Sequence, residues 1–332
     1  GIGKTMSVLY PAIKQILNKN YEHIFYLTAK TSTRRVAESA IDDLREVSNL
    51  HLRQITLQAK ESMCLAPSLY CDTEICPYAR TYYDNLQEGI NELLPVEKPT
   101  PNLIMKAGEK YKLCPFELSL DMSVHCDLII GDYNHAFDPR IRLDRYFSEN
   151  QGHQILLIDE AHNLVDRSRE MYSVTLDEGE FRALLEKMPT HVPFLLNLWE
   201  SILEYFHTLN QGIAQGASTW ETLETSEDSS TMRVLSQENF RATTSRLREL
   251  SKRLMPWLQQ SREMLDMIED PKDRRKLIEL IGKTKFFHRI TEEFWSKSYI
   301  ACARRNQDQV SVRLICLDVS ERLSQTYMNT HA

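Results

Sequence analysis

Short apolar runs alternate with amphipathic stretches along the first half of this chain. After an opening "GIGKT", "MSVLYPAIKQILNK" predicts a helix, with Pro11 as a candidate kink. "HIFYLTAKT" is an apolar, β-favouring run and predicts a buried strand. "TRRVAESAIDDLREV" places apolar residues three and four apart, a helix, and "LRQITLQA" alternates like a strand. From Lys60 to about Ser123 the pattern turns irregular, with a loop at "LLPVEKPTPN". "CDLIIGDYNHAF" and "HQILLIDEAH" then predict two buried strands that end in polar residues. Strands alternating with helices predict a parallel α/β sheet, into which the irregular piece is inserted.

From Leu176 to about Arg305 the pattern is helical. "EFRALLEKM", "FLLNLWESILEYFHTLNQGI" and "RATTSRLRELSKRLMPWLQQSREMLDMIED" are long amphipathic stretches, and "SEDSS" is a polar joint. This segment predicts an all-α domain. "VSVRLICLDVS" is a strand again and is expected to rejoin the sheet.

Composition narrows the class. The 332 residues are 42% apolar, enough to bury a core, and carry a net charge of −7. That balance excludes a protein coated in positive charge but not a local basic groove. No run approaches the ~18 apolar residues of a membrane span. Seven cysteines, an odd number, without a secretion signal suit reduced thiols in the cytosol. The expected localisation is cytoplasmic, or nuclear in a eukaryote.

Two motifs carry chemistry. In "GIGKT", backbone N–H groups at a helix start would surround a phosphate. Lys4 would reach the β- and γ-phosphates of ATP, and Thr5 would hold Mg²⁺. Five such residues also suit a plain glycine-rich turn. In "ILLIDEAHNL" an apolar strand ends in two carboxylates. Asp159 would hold the Mg²⁺ and Glu160 would deprotonate the attacking water. Alone this reads equally as a solvated strand end; together, in this order, the two motifs predict a nucleotide hydrolase. Cys64, Cys71, Cys76 and Cys114 fall in the irregular insertion, where thiolates suit iron or zinc. Cys126 follows His125, a pairing that admits a nucleophile but is read as a core thiol; Cys302 and Cys316 are expected to be buried.

"GKT" followed by "DEAH" resembles the superfamily-two helicases. "IFYLTAKTSTRRVAESAIDDL" resembles motif Ia of the XPD/DinG-type DNA helicases, and "YKLCPFELS…CDLIIGDYNHAFDPRIR…ILLIDEAHNL" resembles their block leading into motif II. The resemblance covers about residues 1–166 and returns faintly at "VRLICLDVS". It implies a RecA-like P-loop fold with a cysteine-rich iron–sulfur insertion and an all-α arch insertion. The implied boundaries are 1–59 for the first part of the motor domain, 60–123 for the iron–sulfur insertion, 124–175 for the DEAH-box part, 176–305 for the arch and 306–332 for the return to the motor.

The resemblance further implies an ATP-dependent helicase moving 5′ to 3′ on single-stranded DNA, with forked duplex as substrate. Gly1, Gly3, Lys4, Thr5 and Asp159 would hold ATP and Mg²⁺, with Glu160 as base and His162 coupling the nucleotide state to DNA. Cys64, Cys71, Cys76 and Cys114 would hold a 4Fe-4S cluster. Lys30, Thr31, Ser32 and Arg35 would contact DNA phosphates; the local alternative is a solvated loop capped by Ser32 or Thr33. An aromatic of "DYNHAFDP" would stack on a base or close the core. Arg241, Arg246, Arg248, Lys252 and Arg253 would line a strand-threading hole or form a solvated face. The family's strand before the glycine loop and its second motor domain are missing, so the expectation is a fragment, inactive alone. The rival readings are a metal-stabilised binding module without motor activity, a zinc-containing helicase-like ATPase, and another P-loop ATPase.

Overall fold

The structure, a computed structural model, describes residues 2–48, 50–66, 71, 76–147, 153–189, 191–216, 220, 223–224, 234–328 and 330. The "SEDSS" joint lies outside the described residues. The chain divides into two compact units, Gly1–Val165 with Ser320–Ala332, and Asp166–Val319.

The first unit is built on a parallel sheet. Strands β1 (His23–Thr28), β2 (Gln54–Thr56), β3 (Leu128–Asp132) and β4 (Gln154–Ile158) lie in the order β2-β3-β1-β4. β1 is flanked by strands on both sides and buried on both faces, which is why its sequence is a continuous apolar run rather than an alternation. Its residues still divide by parity. Ile24 and Tyr26 pack with Leu128 and Ile130 against Leu9, Ala12 and Ile13 of helix α1 (Ile2–Leu17) and Ala37, Ala40 and Ile41 of α2 (Thr31–Ser48). Phe25 faces the other way, with its ring centroid 4.8 Å from those of Tyr146 and Phe147. Helix α1 runs through Pro11 without ending.

Between β2 and β3 the chain makes α3 (Lys60–Met63), α4 (Pro77–Arg80), α5 (Tyr82–Leu93), α6 (Pro101–Tyr111) and α7 (Pro115–Ser123). Three of these begin with proline at the first helical position, where its missing N–H costs nothing. Thr100 caps α6 through Leu103 N, and Lys112 ends it in the left-handed region at φ 55°. The segment that reads as irregular is therefore mostly short helices. The unit continues with α8 (Asn134–Phe137) and α9 (Asp144–Phe147), α10 (Leu164–Met171) crosses the division after Val165, and the chain returns to the first unit as α11 (Ser320–Met328), where Tyr327 meets Phe137 at 5.9 Å.

The second unit departs from the all-helical expectation for 176–305. It holds a five-stranded sheet in the order β5-β9-β8-β7-β6, from β5 (Val174–Asp177), β6 (Val234–Gln237), β7 (Phe240–Thr243), β8 (Tyr299–Asn306) and β9 (Gln309–Cys316), with every pair antiparallel. β9 pairs with β8 and β5, and does not rejoin the parallel sheet. The physical reason is a hairpin: Gln307 and Asp308 form a two-residue turn, and Gln307 adopts φ 55°. A second hairpin turns at Glu238 and Asn239, with Asn239 at φ 60°. The stretch "RATTSRLRELSKRL" is thus a strand through Thr243 before its helix starts at Arg248. Helices pack around an aromatic core in which Trp199 and Trp257 meet edge-on at 5.1 Å and Phe181 lies 5.6 Å from Trp257.

Candidate nucleotide site and cysteine group

Residues 2–5 are helical, forming the first turn of α1, and Gly1 lies outside the described residues. That turn holds no acidic side chain, so no carboxylate of the turn itself offsets the positive end of the helix. A Cβ at Gly3 would meet nothing within 4 Å, so the space over this turn is open. Lys4 is exposed, whereas Thr5 is 8% exposed.

The DEAH segment follows β4. Asp159 N donates to Leu27 O at 2.9 Å, which extends the strand pairing one residue past the strand end and brings Asp159 beside β1. Tyr26 connects the two motifs. This tyrosine is 2% exposed, and its hydroxyl interacts with the side chains of both Thr5 and Asp159. Burial pushes its pKa up, the Thr5 bond opposes this, and the charges of Asp159 and Glu160 add to the rise. One side chain from each motif, Thr5 and Asp159, thus interacts with the same hydroxyl. Glu160 is exposed and holds φ 53°, a left-handed conformation that costs a residue with a side chain ~1–2 kcal/mol. His162 Nδ1 lies 3.3 Å from Glu160 Oε2, both at the surface. The carbonyls of Asp159 and Glu160 accept the hydroxyl of Tyr133, the second at 3.0 Å.

The segment 30–35 is tied down from beneath. Thr33 donates to Lys30 O at 2.8 Å, and Thr28, fully buried, lies 2.6 Å from the Thr33 hydroxyl and accepts Lys30 N at 3.1 Å. Lys30, Ser32 and Arg35 are exposed; the Thr31 side chain lies outside the described residues. Arg34 points inward to Asp132 and to Leu57 O, each at 3.3 Å. In "DYNHAF", Tyr133, His135 and Phe137 are all buried and close the core, so none is placed to stack on a base. Burial holds His135 below the ordinary imidazole range, and its neutral Nδ1 accepts Asp132 N at 3.1 Å.

Of the four insertion cysteines, Cys76 is buried, Cys64 and Cys114 are half-buried and Cys71 is exposed. Cys76 and Cys114 each precede the proline that starts a helix, and Cys114 N donates to Tyr78 O at 3.1 Å. Lys60, four residues before Cys64, hydrogen-bonds Cys71 and sits in the field of Cys114. Burial works against its charge, but those partners prevail and its pKa is raised. Burial also pushes the Cys114 thiol up, opposed by the N–H groups of Glu117 and Phe116. Among the described residues no group of three or more His, Cys, Asp or Glu side chains is arranged to hold a metal ion. The donor chemistry, four thiols in one insertion, fits iron or zinc. Cys126 is different: buried, with its pKa pushed up to about 12 by burial, it is a core thiol and no nucleophile. Cys302 and Cys316 are buried as expected.

The second unit's basic run is largely committed to its own fold. Arg241 is 2% exposed and donates to Gln237 O and Phe240 O. Arg246 pairs with Glu292, Lys252 with Glu249 and Arg253 with Glu204. Arg248 is exposed and has no ion-pair partner among the described residues. Sequence reasoning missed Tyr26, Arg34 and Lys60, and it offered Tyr133 only as an aromatic to stack on a base or close the core, not as a hydroxyl donor to the DEAH turn. A tyrosine within a fully apolar strand was the available signal for the first, because a buried hydroxyl needs a partner.

Residues 30–181 match the DEAD_2 family model. The chain is 31% identical over 85 residues to the Fanconi anemia group J protein homolog of Gallus gallus, covering 26% of this chain and 7% of that protein. It is 26% identical over 161 residues to regulator of telomere elongation helicase 1 of Bos taurus, covering 44% and 13%. The Anopheles gambiae homolog of that helicase is 22% identical over 160 residues, covering 44% and 16%. The matched stretches thus span a sixth or less of these relatives. A solved structure of truncated XPD superposes with a TM-score of 0.58 over 99% of this chain and 83% of that one, at 17% identity, a likeness of fold.

Proposed function

We propose that this chain supplies the first motor domain of an ATP-dependent DNA helicase of the XPD-like superfamily-two class; the DEAD_2 match over residues 30–181 and the likeness of fold to truncated XPD support that reading. The observation that carries this reading is the convergence of Thr5 and Asp159 on the Tyr26 hydroxyl, below the open N-terminal turn of α1. Bound Mg²⁺ would neutralise phosphate charge. Gly1, Gly3 and the backbone of that turn would cradle the phosphates, Lys4 would pair with them, and Thr5 and Asp159 would hold the metal. Glu160, outside the sheet and exposed, would take the proton of the attacking water, and His162 beside it would carry the nucleotide state toward DNA.

Lys30, Thr31, Ser32 and Arg35 would hold phosphates of single-stranded DNA, a role that suits the exposed cations at the start of α2. Cys64, Cys71, Cys76 and Cys114 would hold a 4Fe-4S cluster in the 60–123 insertion. Movement 5′ to 3′, forked duplex as substrate, and work in repair or replication belong to the same reading. Rapid turnover needs an arginine finger from a second RecA-like domain, worth about 10³–10⁵ in rate.

The test is binding of a fluorescent ATP analogue to the chain. Lys4→Ala should weaken it at least tenfold, and Asp159→Asn should remove its Mg²⁺ dependence. Binding that ignores both changes would sink the reading. Metal analysis of anaerobically purified chain tests the cluster: about four irons and four sulfides per chain, lost in Cys→Ser variants, support it. Zinc in their place would support a zinc-containing ATPase.

A further inference from the structure

Tyr133 is fully buried, yet its hydroxyl leaves the apolar core and reaches the turn after β4. Its single proton serves two acceptors, the carbonyls of Asp159 and Glu160. The same Glu160 carbonyl accepts Asn163 N at 2.9 Å and Asn163 Nδ2 at 3.3 Å. Glu160 is held there at φ 53°, a conformation that a side-chain-bearing residue seldom takes unless its surroundings impose it.

The donor stands on a fixed base. Asp132 accepts Asn134 N at 3.1 Å and pairs with Arg34 at 3.3 Å, and its own N–H is held by His135. Leu143 N donates to His135 O at 2.8 Å, closing the turn from the far side. Phe137, four residues on, is buried without any hydroxyl, so filling this core does not call for a phenol. A hydroxyl at 133 is spent on the two carbonyls.

We propose that Tyr133 is a positioning residue for the two carboxylates. By holding the carbonyls of Asp159 and Glu160 it fixes the backbone from which Asp159 reaches the Tyr26 hydroxyl and Glu160 projects outward. This rests on the ATP-site reading above. Groups that orient metal ligands from behind typically cost 10–100-fold in metal affinity when removed.

Tyr133→Phe keeps the ring and removes the hydroxyl. The measurement is affinity for a fluorescent ATP analogue, with Mg²⁺ and with a chelator. The expected result is an about tenfold smaller Mg²⁺-dependent gain, with chelator affinity unchanged. A core-loosening control, Phe147→Leu, should lower thermal stability and keep the gain. An unchanged gain in Tyr133→Phe overturns the proposal, as does an equal loss in the control. If the unsubstituted chain shows no binding that Lys4→Ala abolishes, the ATP-site reading fails and takes this proposal with it.

Discussion

Glu224 offers a demanding test of the energetics in the second unit. Its carboxylate is 3% exposed and accepts the Tyr205 hydroxyl at 2.7 Å, Glu249 N at 2.8 Å and Leu250 N at 3.4 Å. It thereby caps the helix Arg248–Gln259, whose own preceding residue, Leu247, has no side chain able to do so. Glu224→Ala strands the Tyr205 hydroxyl and Glu249 N; at ~1–2 kcal/mol for each orphaned buried group plus the cap, the expected loss is roughly 3–4 kcal/mol. Glu224→Gln keeps an acceptor oxygen and should lose about 1 kcal/mol. Burial raises the Glu224 pKa above its ordinary value, against the opposing hydrogen bonds of Glu249 N, Tyr205 and Leu250 N. The folded unit therefore binds this proton more tightly than the unfolded chain. The stability it contributes is present below the ordinary carboxylate pKa and declines as pH rises through the raised one. Urea unfolding followed by tryptophan fluorescence is the assay, because Trp199, Trp220, Trp257 and Trp295 all lie in Asp166–Val319. Equal losses for the two variants, or an advantage of Glu over Gln that grows toward alkaline pH, would refute the reasoning.

Three further outcomes are expected. Gly131→Ala would place its Cβ 2.8 Å from His135 Nδ1, an overpacked contact beside a buried ring, and should cost ~1–3 kcal/mol in thermal unfolding monitored by far-UV circular dichroism. Arg34→Ala should cost about 1–2 kcal/mol, with little rescue by Lys, since one guanidinium fork serves both Asp132 and Leu57 O; full rescue by Lys would contradict that geometry. In metal-free chain at pH 8, iodoacetamide should label exposed Cys71 well before Cys126, whose thiolate fraction is on the order of 10⁻⁴; mass mapping that finds Cys126 first would be incompatible with its burial.

The strands of the first unit were legible because the central strands, flanked on both sides, must be apolar over their buried length, as "IFYLT" and the "LII" of β3 are, and the half-buried edge strand β4 keeps the apolar run "ILLI". The helices α1 and α2 were legible by their period. The pairing of a glycine-lysine-threonine turn with a strand-borne Asp-Glu was legible because both chemistries need residues adjacent in sequence. The sheet of the second unit was not: β6 and β7 are four residues each, too short to impose a period of two, and "RATT" runs straight into a strong helical pattern. What only the tertiary structure decided are the partnerships of residues far apart in the chain. Tyr26 meets Thr5 and Asp159, Tyr133 meets the carbonyls of Asp159 and Glu160, Arg34 meets Asp132, and most of the second unit's basic run is tied to its own acids and carbonyls. Periodicity records which face of an element is dry, because burial acts on each residue through its own solvation. A hydrogen bond or ion pair depends on two groups meeting at about 3 Å in one orientation, and no property of either residue alone encodes its partner.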